Sequence, residues 1–291
     1  MRRAERFLFP AASAERLAAL RIGLCAILAG RLATGPYADL AGQPRELFRP
    51  ISFMELLPAM PPKPVVVALQ VAGVLAAVLA AVGLRTRVAL PLAWACAVVL
   101  NGMLTSTGKV VHNDLVLLLC LVPLLAAPAA DTWSLDARRG PYPVPGRPSR
   151  LYGWPLRTAA IVVAGAYFFA GLAKLVHSGP AWVTSDNLRW ALYAAGDSEL
   201  ALFIADRPSL AHALAAGTLL LELSFPLVLL VPRAAWILVP GAVLFHTGIW
   251  LAMGLDYSAQ AATAVVVFTN WPLVVAALRR RRPVPTVAEP G

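Results

Sequence analysis

"TAAIVVAGAYFFAGLAKLV" covers residues 158–176, and Lys174 is its only residue charged at neutral pH. Its nineteen residues, wound as a helix, rise about 28 Å, close to the ~30 Å hydrocarbon core of a bilayer. The stretch reads as a membrane-spanning helix. It runs on into "HSGPAW", residues 177–182, where Gly179-Pro180 breaks it. An amine near the end of so apolar a helix, three residues before His177, has two readings. It is an anchor whose stem lies in lipid while its head reaches the headgroups, or it is a catalytic base.

The same pattern recurs along the chain. Of 291 residues, 59% are hydrophobic and 14% charged, too apolar for an ordinary soluble domain. Eight apolar segments stand out: Leu17–Thr34, Val65–Leu84, Val88–Ser106, His112–Ala127, Thr158–Val176, Leu210–Val231, Ala235–Met253 and Gln260–Leu278. The expected fold is all-α: a polytopic integral membrane bundle of about eight transmembrane helices over residues 1–291, with no appended soluble domain. Cys25, Cys96 and Cys120 lie in three separate apolar runs and read as packing residues.

The net charge of +10 does not form a nucleic-acid face, because the basic residues sit mainly between apolar segments. With the N-terminus inside, the inner segments hold 16 of the 25 Lys and Arg residues, from Arg2 to the run Arg279–Arg282, and the outer loops hold six. That asymmetry puts both termini in the cytoplasm and makes these arginines orientation and lipid contacts. The long loops Gly35–Pro64 and Ser178–Ser209 then face out, and the protein is expected to be a multi-pass protein of the cell (inner) membrane. No internal repeat is visible, which argues against a repeat-built transporter.

Ionisable groups inside spans are costly and become functional candidates by default. His112, Asn113 and Asp114 open the fourth segment, Lys174 and His177 close the fifth, Glu222 lies midway along the sixth, and His246 lies in the outer half of the seventh. Together they suggest an outward-opening polar pocket. Each also has a plainer reading. His112 suits an interface, Asp114 a helix N-terminus, and Glu222 a structural pair with an arginine such as Arg21 or with a backbone donor. Arg31 suits a snorkelling anchor, His246 a buried hydrogen bond to a neighbouring helix, and His177 and His212 the interface. Tyr167, Gly171 and Lys174 share a helical face, and the small Gly171 leaves room for a neighbour or ligand beside the amine. No zinc signature, phosphate loop, nucleophile elbow or dinucleotide fingerprint is present.

A resemblance extends these readings. "YFFAGLAKL" (167–175) followed by Trp182 resembles the core of the vitamin K-dependent gamma-carboxylase family, whose bacterial members are grouped as horizontally transferred transmembrane domain (HTTM) proteins. "FMELLPAMP", "LRTR", "HNDLVLLL", "DTWSLDA", "LLLELSFPL" and "LFHTGIWLAMG" follow the same family order between about Arg45 and Trp271. The resemblance implies that the amine of Lys174 deprotonates a reduced quinone of the vitamin K or menaquinol type. The oxygenated quinone then abstracts a proton before carbon dioxide adds. It also implies that His112 and His246 assist as acid–base or oxyanion partners, and that Tyr167, Gly171, Trp182, Asn113, Asp114 and Glu222 shape the pocket. Two departures stand out: the family's paired lysines are here Ala173-Lys174, and its lumenal substrate-docking domain has no counterpart in this sequence. The expectation is a gamma-carboxylase-like lyase or quinol epoxidase acting at the outer side on a small or peptide substrate. Membrane lipids and a lipid quinone are its expected partners, with no metal and no nucleic acid. The alternatives are a non-catalytic accessory protein for peptide maturation and a small-molecule transporter.

Overall fold

Leu17, Leu20, Leu24, Leu28 and Leu32 recur at three- and four-residue spacing, and all are buried. They lie on the helix at the centre of the bundle. The computed structural model describes residues 3–41, 43–108, 111–138, 147–195 and 198–280. Its long helices are α1 (Ala14–Thr34), α2 (Lys63–Val82), α3 (Thr86–Thr105), α4 (Leu115–Ala126), α5 (Arg150–Ser178), α6 (Pro208–Ser224), α7 (Ala235–Met253), α8 (Ser258–Phe268) and α9 (Trp271–Arg280). Helix α1 packs against α2, α4, α5 and α8.

The side chains are distributed as in a membrane bundle. Leu75, Val88, Phe169, Leu220, Trp236, Ile237 and Leu244 are exposed on the outer faces of their helices. Ala76, Ala77, Ala80, Ala89, Ala93 and Ala97 are buried where α2 meets α3. Water would reverse this pattern, whereas lipid favours it. Small residues let backbones approach, and apolar bulk faces hydrocarbon. The α2–α3 turn depends on Gly83, whose φ of 73° is left-handed and whose N–H donates to the Leu79 and Ala80 carbonyls. All three cysteines are free and buried.

Among the described residues, six segments are long and apolar enough to cross a membrane, α1, α2, α3, α5, Pro208–Leu230 and Pro232–Met253, or seven if the bent pair α8–α9 is one span. The expected count of about eight differs at the fourth and eighth segments. Helix α4 has 12 residues, a rise of about 18 Å that falls short of the hydrocarbon core. Its expected first turn, His112–Asp114, stays outside the helix, and Ala127 is extended ahead of Pro128. The eighth segment is bent by 74° between α8 and α9. Thr269 is extended there, and Pro272, the second residue of α9, has no N–H to give the Phe268 carbonyl and its ring would clash with that carbonyl, so α8 cannot run on into α9 as one straight helix.

Two arginines do something other than expected. Arg21 is fully buried and its guanidinium donates to the Trp133 carbonyl at 2.6 Å, so it does not pair with Glu222. Arg31 is no free snorkelling anchor: it donates to Asp114 at 2.8 Å and to Asp256.

Candidate functional site

Gly171 brings α5 and α6 together. A Cβ at that position would stand 2.9 Å from the Glu222 Cβ and 3.1 Å from the Leu223 side chain, so a larger residue would force the helices apart. One turn further along α5, the Lys174 amine donates to both carboxylate oxygens of Glu222, at 2.6 and 2.8 Å. The Lys174 side chain is 21% exposed and that of Glu222 only 4%. The amine also lies 5.3 Å from the centre of the Trp182 ring, where a cation meets the negative face of the indole. The sequence offers an anchor or a base; the bundle supplies an amine held by a buried carboxylate. Such a pair is costly to desolvate, and breaking it strands a charge.

One turn back on the same face, Tyr167 is buried and stacks on Phe225, with ring centres 4.1 Å apart. Its hydroxyl shares a hydrogen bond of 2.8 Å with His246 Nε2 from α7. His246 also stacks on Tyr257, at 5.5 Å between centres, and the Tyr257 hydroxyl lies 3.2 Å from His112 Nε2. Just beyond, Asn113 donates to the Asp256 carbonyl at 2.6 Å, and Arg31 bridges Asp114 and Asp256. Burial works against ionising Asp256, but Ser258 and the Arg31 guanidinium more than offset it and hold its carboxyl below the usual range. Burial pushes the Tyr257 hydroxyl up. Asp114 makes no side-chain cap on α4; its carboxylate is taken by Arg31.

The nine residues singled out in the sequence thus form two groups on neighbouring helices. Lys174, Glu222, Gly171 and Trp182 make one, around the ion pair. His246, His112, Asn113 and Asp114 make the other, tied together by Tyr257 and Asp256. Tyr167 belongs to both, through the shared face of α5 and the bond to His246. A cavity of about 550 Å³ between α7 and α8 is lined by His246, Thr247, Asp256 and Ser258, with Val243, Trp250, Ala261, Ala262 and Val265. Lys174 and His112 do not line it, so the two histidines and the amine are joined by side-chain contacts and not by this one chamber. His246 Nδ1 is buried there without a hydrogen-bond partner among the described residues. His177 is exposed and His212 partly buried, and neither joins the group.

Sequence reasoning missed Arg31, Phe225, Asp256 and Tyr257 as members. A signal existed for Arg31 and Asp256, opposite charges at the ends of two segments read as opening on the same side. Nothing in the local pattern marks Tyr257 or Phe225.

The sequence profile of the HTTM domain matches residues 12–269. No curated protein and no solved structure matches the chain. The profile takes in both groups of residues, from Arg31 to Asp256, and every helix from α1 to α8.

Proposed function

The chain belongs to the HTTM domain family, and on that premise we propose that it is a membrane enzyme whose Lys174–Glu222 pair takes a proton from the hydroxyl of a lipid quinol. One observation supports this above the rest: an amine and a carboxylate bonded at 2.6 and 2.8 Å inside an apolar bundle, with Glu222 almost wholly buried. A lysine serving only as an anchor has no need of a carboxylate drawn out of lipid contact and set against a glycine.

The residues fit a flat apolar ring with an ionisable hydroxyl. The His246 cavity is largely apolar, and its Nδ1, without a hydrogen-bond partner among the described residues, offers a hydrogen bond to an oxygen. Because Lys174 does not line this cavity, the reading requires the quinol to extend past Tyr167, which joins the two groups, to the amine beneath the Trp182 face. A reduced quinone, when bound, supplies the hydroxyl and the reducing electrons. Lys174 and Glu222 hold one proton between them at rest. Lys174 passes that proton to the carboxylate as it accepts one from the hydroxyl, so the pair ends with two. Sharing the charge this way lets the amine act as a base without being neutral beforehand. The Tyr167 bond fixes the orientation of His246. The acceptor is a small or peptide substrate, and Lys174 and the loop after it face the outer side of the cell membrane.

Two experiments test this reading. Reduced menaquinone in vesicles carrying the purified protein should be consumed under oxygen faster than in protein-free vesicles. Equal rates would favour the non-catalytic accessory reading. For orientation, a membrane-impermeant thiol reagent added to cells should label a cysteine at Ser198 and spare one at Arg147. The reverse pattern removes the outward site.

A further inference from the structure

At the end of the bundle opposite Lys174, a cavity of about 520 Å³ opens between the start of α3 and the end of α4. Its polar side carries Arg85, Arg87, Asp131 and Asp136; its other side is Val88, Leu90, Pro91, Leu124 and Leu125. Both carboxylates are already engaged. Asp136 accepts from the Arg85 and Thr86 amides at 2.8 and 2.9 Å and from the Thr86 hydroxyl, and Asp131 accepts from the Tyr152 hydroxyl at 2.8 Å. Arg85 and Arg87 are exposed, and among the described residues no ion pair takes either guanidinium.

A second cavity, about 280 Å³, lies further along the same two helices. It is lined by Trp94, Val98, Leu115, Leu118, Leu119 and Val122 among others, and is almost wholly apolar. Arg87, Pro91, Trp94 and Val98 fall at spacings of four, three and four, which is one face of α3. Leu115, Leu119 and Val122 are the exposed face of α4 beside it. The Trp94 indole donates to the Leu118 carbonyl at 3.1 Å and ties the helices where the cavities succeed each other. The crevice exists because α4 is short and packs more tightly on α5 than on α3. From Arg87 to Val98 the helix rises roughly 16 Å, the depth of one leaflet of a ~30 Å core.

A cationic mouth above a leaflet-deep apolar groove has the shape and charge of one amphiphile. We propose that the α3–α4 crevice binds an anionic phospholipid, its phosphate between Arg85 and Arg87 and one acyl chain along Trp94, Val98 and Val122. Free phosphate would satisfy the arginines and leave the apolar stripe unexplained. The site is separate from Lys174, so it stands whether or not the quinol reading does.

The test uses the whole protein in nanodiscs of phosphatidylcholine with a minor share of phosphatidylglycerol, followed by native mass spectrometry of the released complexes. Phosphatidylglycerol should be retained about tenfold above its share of the disc. Arg85→Gln with Arg87→Gln should remove that enrichment while the protein still elutes as a folded species, since both side chains are exposed. Val122→Trp, which fills the groove and leaves the arginines in place, should weaken retention as well. Lipid bound in the bulk ratio, or enrichment indifferent to the arginine pair, overturns the proposal. Retention indifferent to Val122→Trp, or abolished by millimolar inorganic phosphate, overturns the lipid and leaves only an anion site.

Discussion

Replacing Lys174 by arginine should leave the protein folded and reduce quinol turnover by about 10²–10⁴-fold, the usual worth of a positioned acid–base group. Arginine keeps the positive charge, reaches at least as far as lysine and meets a carboxylate through two parallel bonds, so the contact with Glu222 survives. What arginine cannot do is release its proton at physiological pH. An anchoring lysine is therefore replaced by arginine at little cost, whereas a lysine that hands a proton to Glu222 is not. Lys174→Ala should be equally inactive, and a small primary amine added in solution should restore part of the turnover, because the side chain is partly exposed. Turnover of Lys174→Arg near the wild-type rate would return Lys174 to the anchor reading.

Glu222→Ala should be strongly destabilising. It leaves the Lys174 ammonium, only 21% exposed, without its only ion-pair partner among the described residues. Breaking a buried pair from one side costs about 3–5 kcal/mol. Replacing both partners at once, Lys174→Met with Glu222→Leu, removes the stranded charge and should recover most of that loss, since apolar residues of similar volume replace buried pairs at little or no cost. The double variant should unfold in detergent close to the wild-type temperature and still be inactive. Recovery of folding without recovery of turnover separates the chemistry of the pair from its part in packing. A double variant as unstable as Glu222→Ala would mean that the pair is needed for the fold itself.

Much of the fold is legible in the sequence because lipid imposes a simple rule of long apolar runs with polar residues confined to their ends. Helices α1, α2, α3, α5 and α7 fall within a few residues of the apolar segments, with α5 beginning earlier, since Arg150–Arg157 continue the helix beyond the apolar run. Hydropathy could not show where backbone would leave the helix inside an apolar run. At His112–Asp114 the competing force is tertiary: Asn113 and Asp114 are held by the Asp256 loop and by Arg31 and do not start α4. At Thr269–Asn270 it is the proline two residues on. Within the site, the shared face of Tyr167, Gly171 and Lys174 follows directly from helical spacing. The identity of the lysine's partner does not, because pairing between α5 and α6 depends on how the helices rotate against each other. Gly171 sets that rotation by admitting Glu222, and Arg21, the partner expected from charge alone, is turned toward Trp133 on another side of the bundle.

The central claim is that this site handles a lipid quinol, and the lipids that stay with the protein test it most directly. Wild-type protein purified in mild detergent should be extracted and its lipids identified by mass spectrometry, beside an extract of the same membranes. A quinone enriched over its share of the membrane, and reduced to that share in a variant whose His246 cavity is filled by Ala261→Trp, is the expected result. Retained lipid that contains no quinone above its membrane proportion would contradict it.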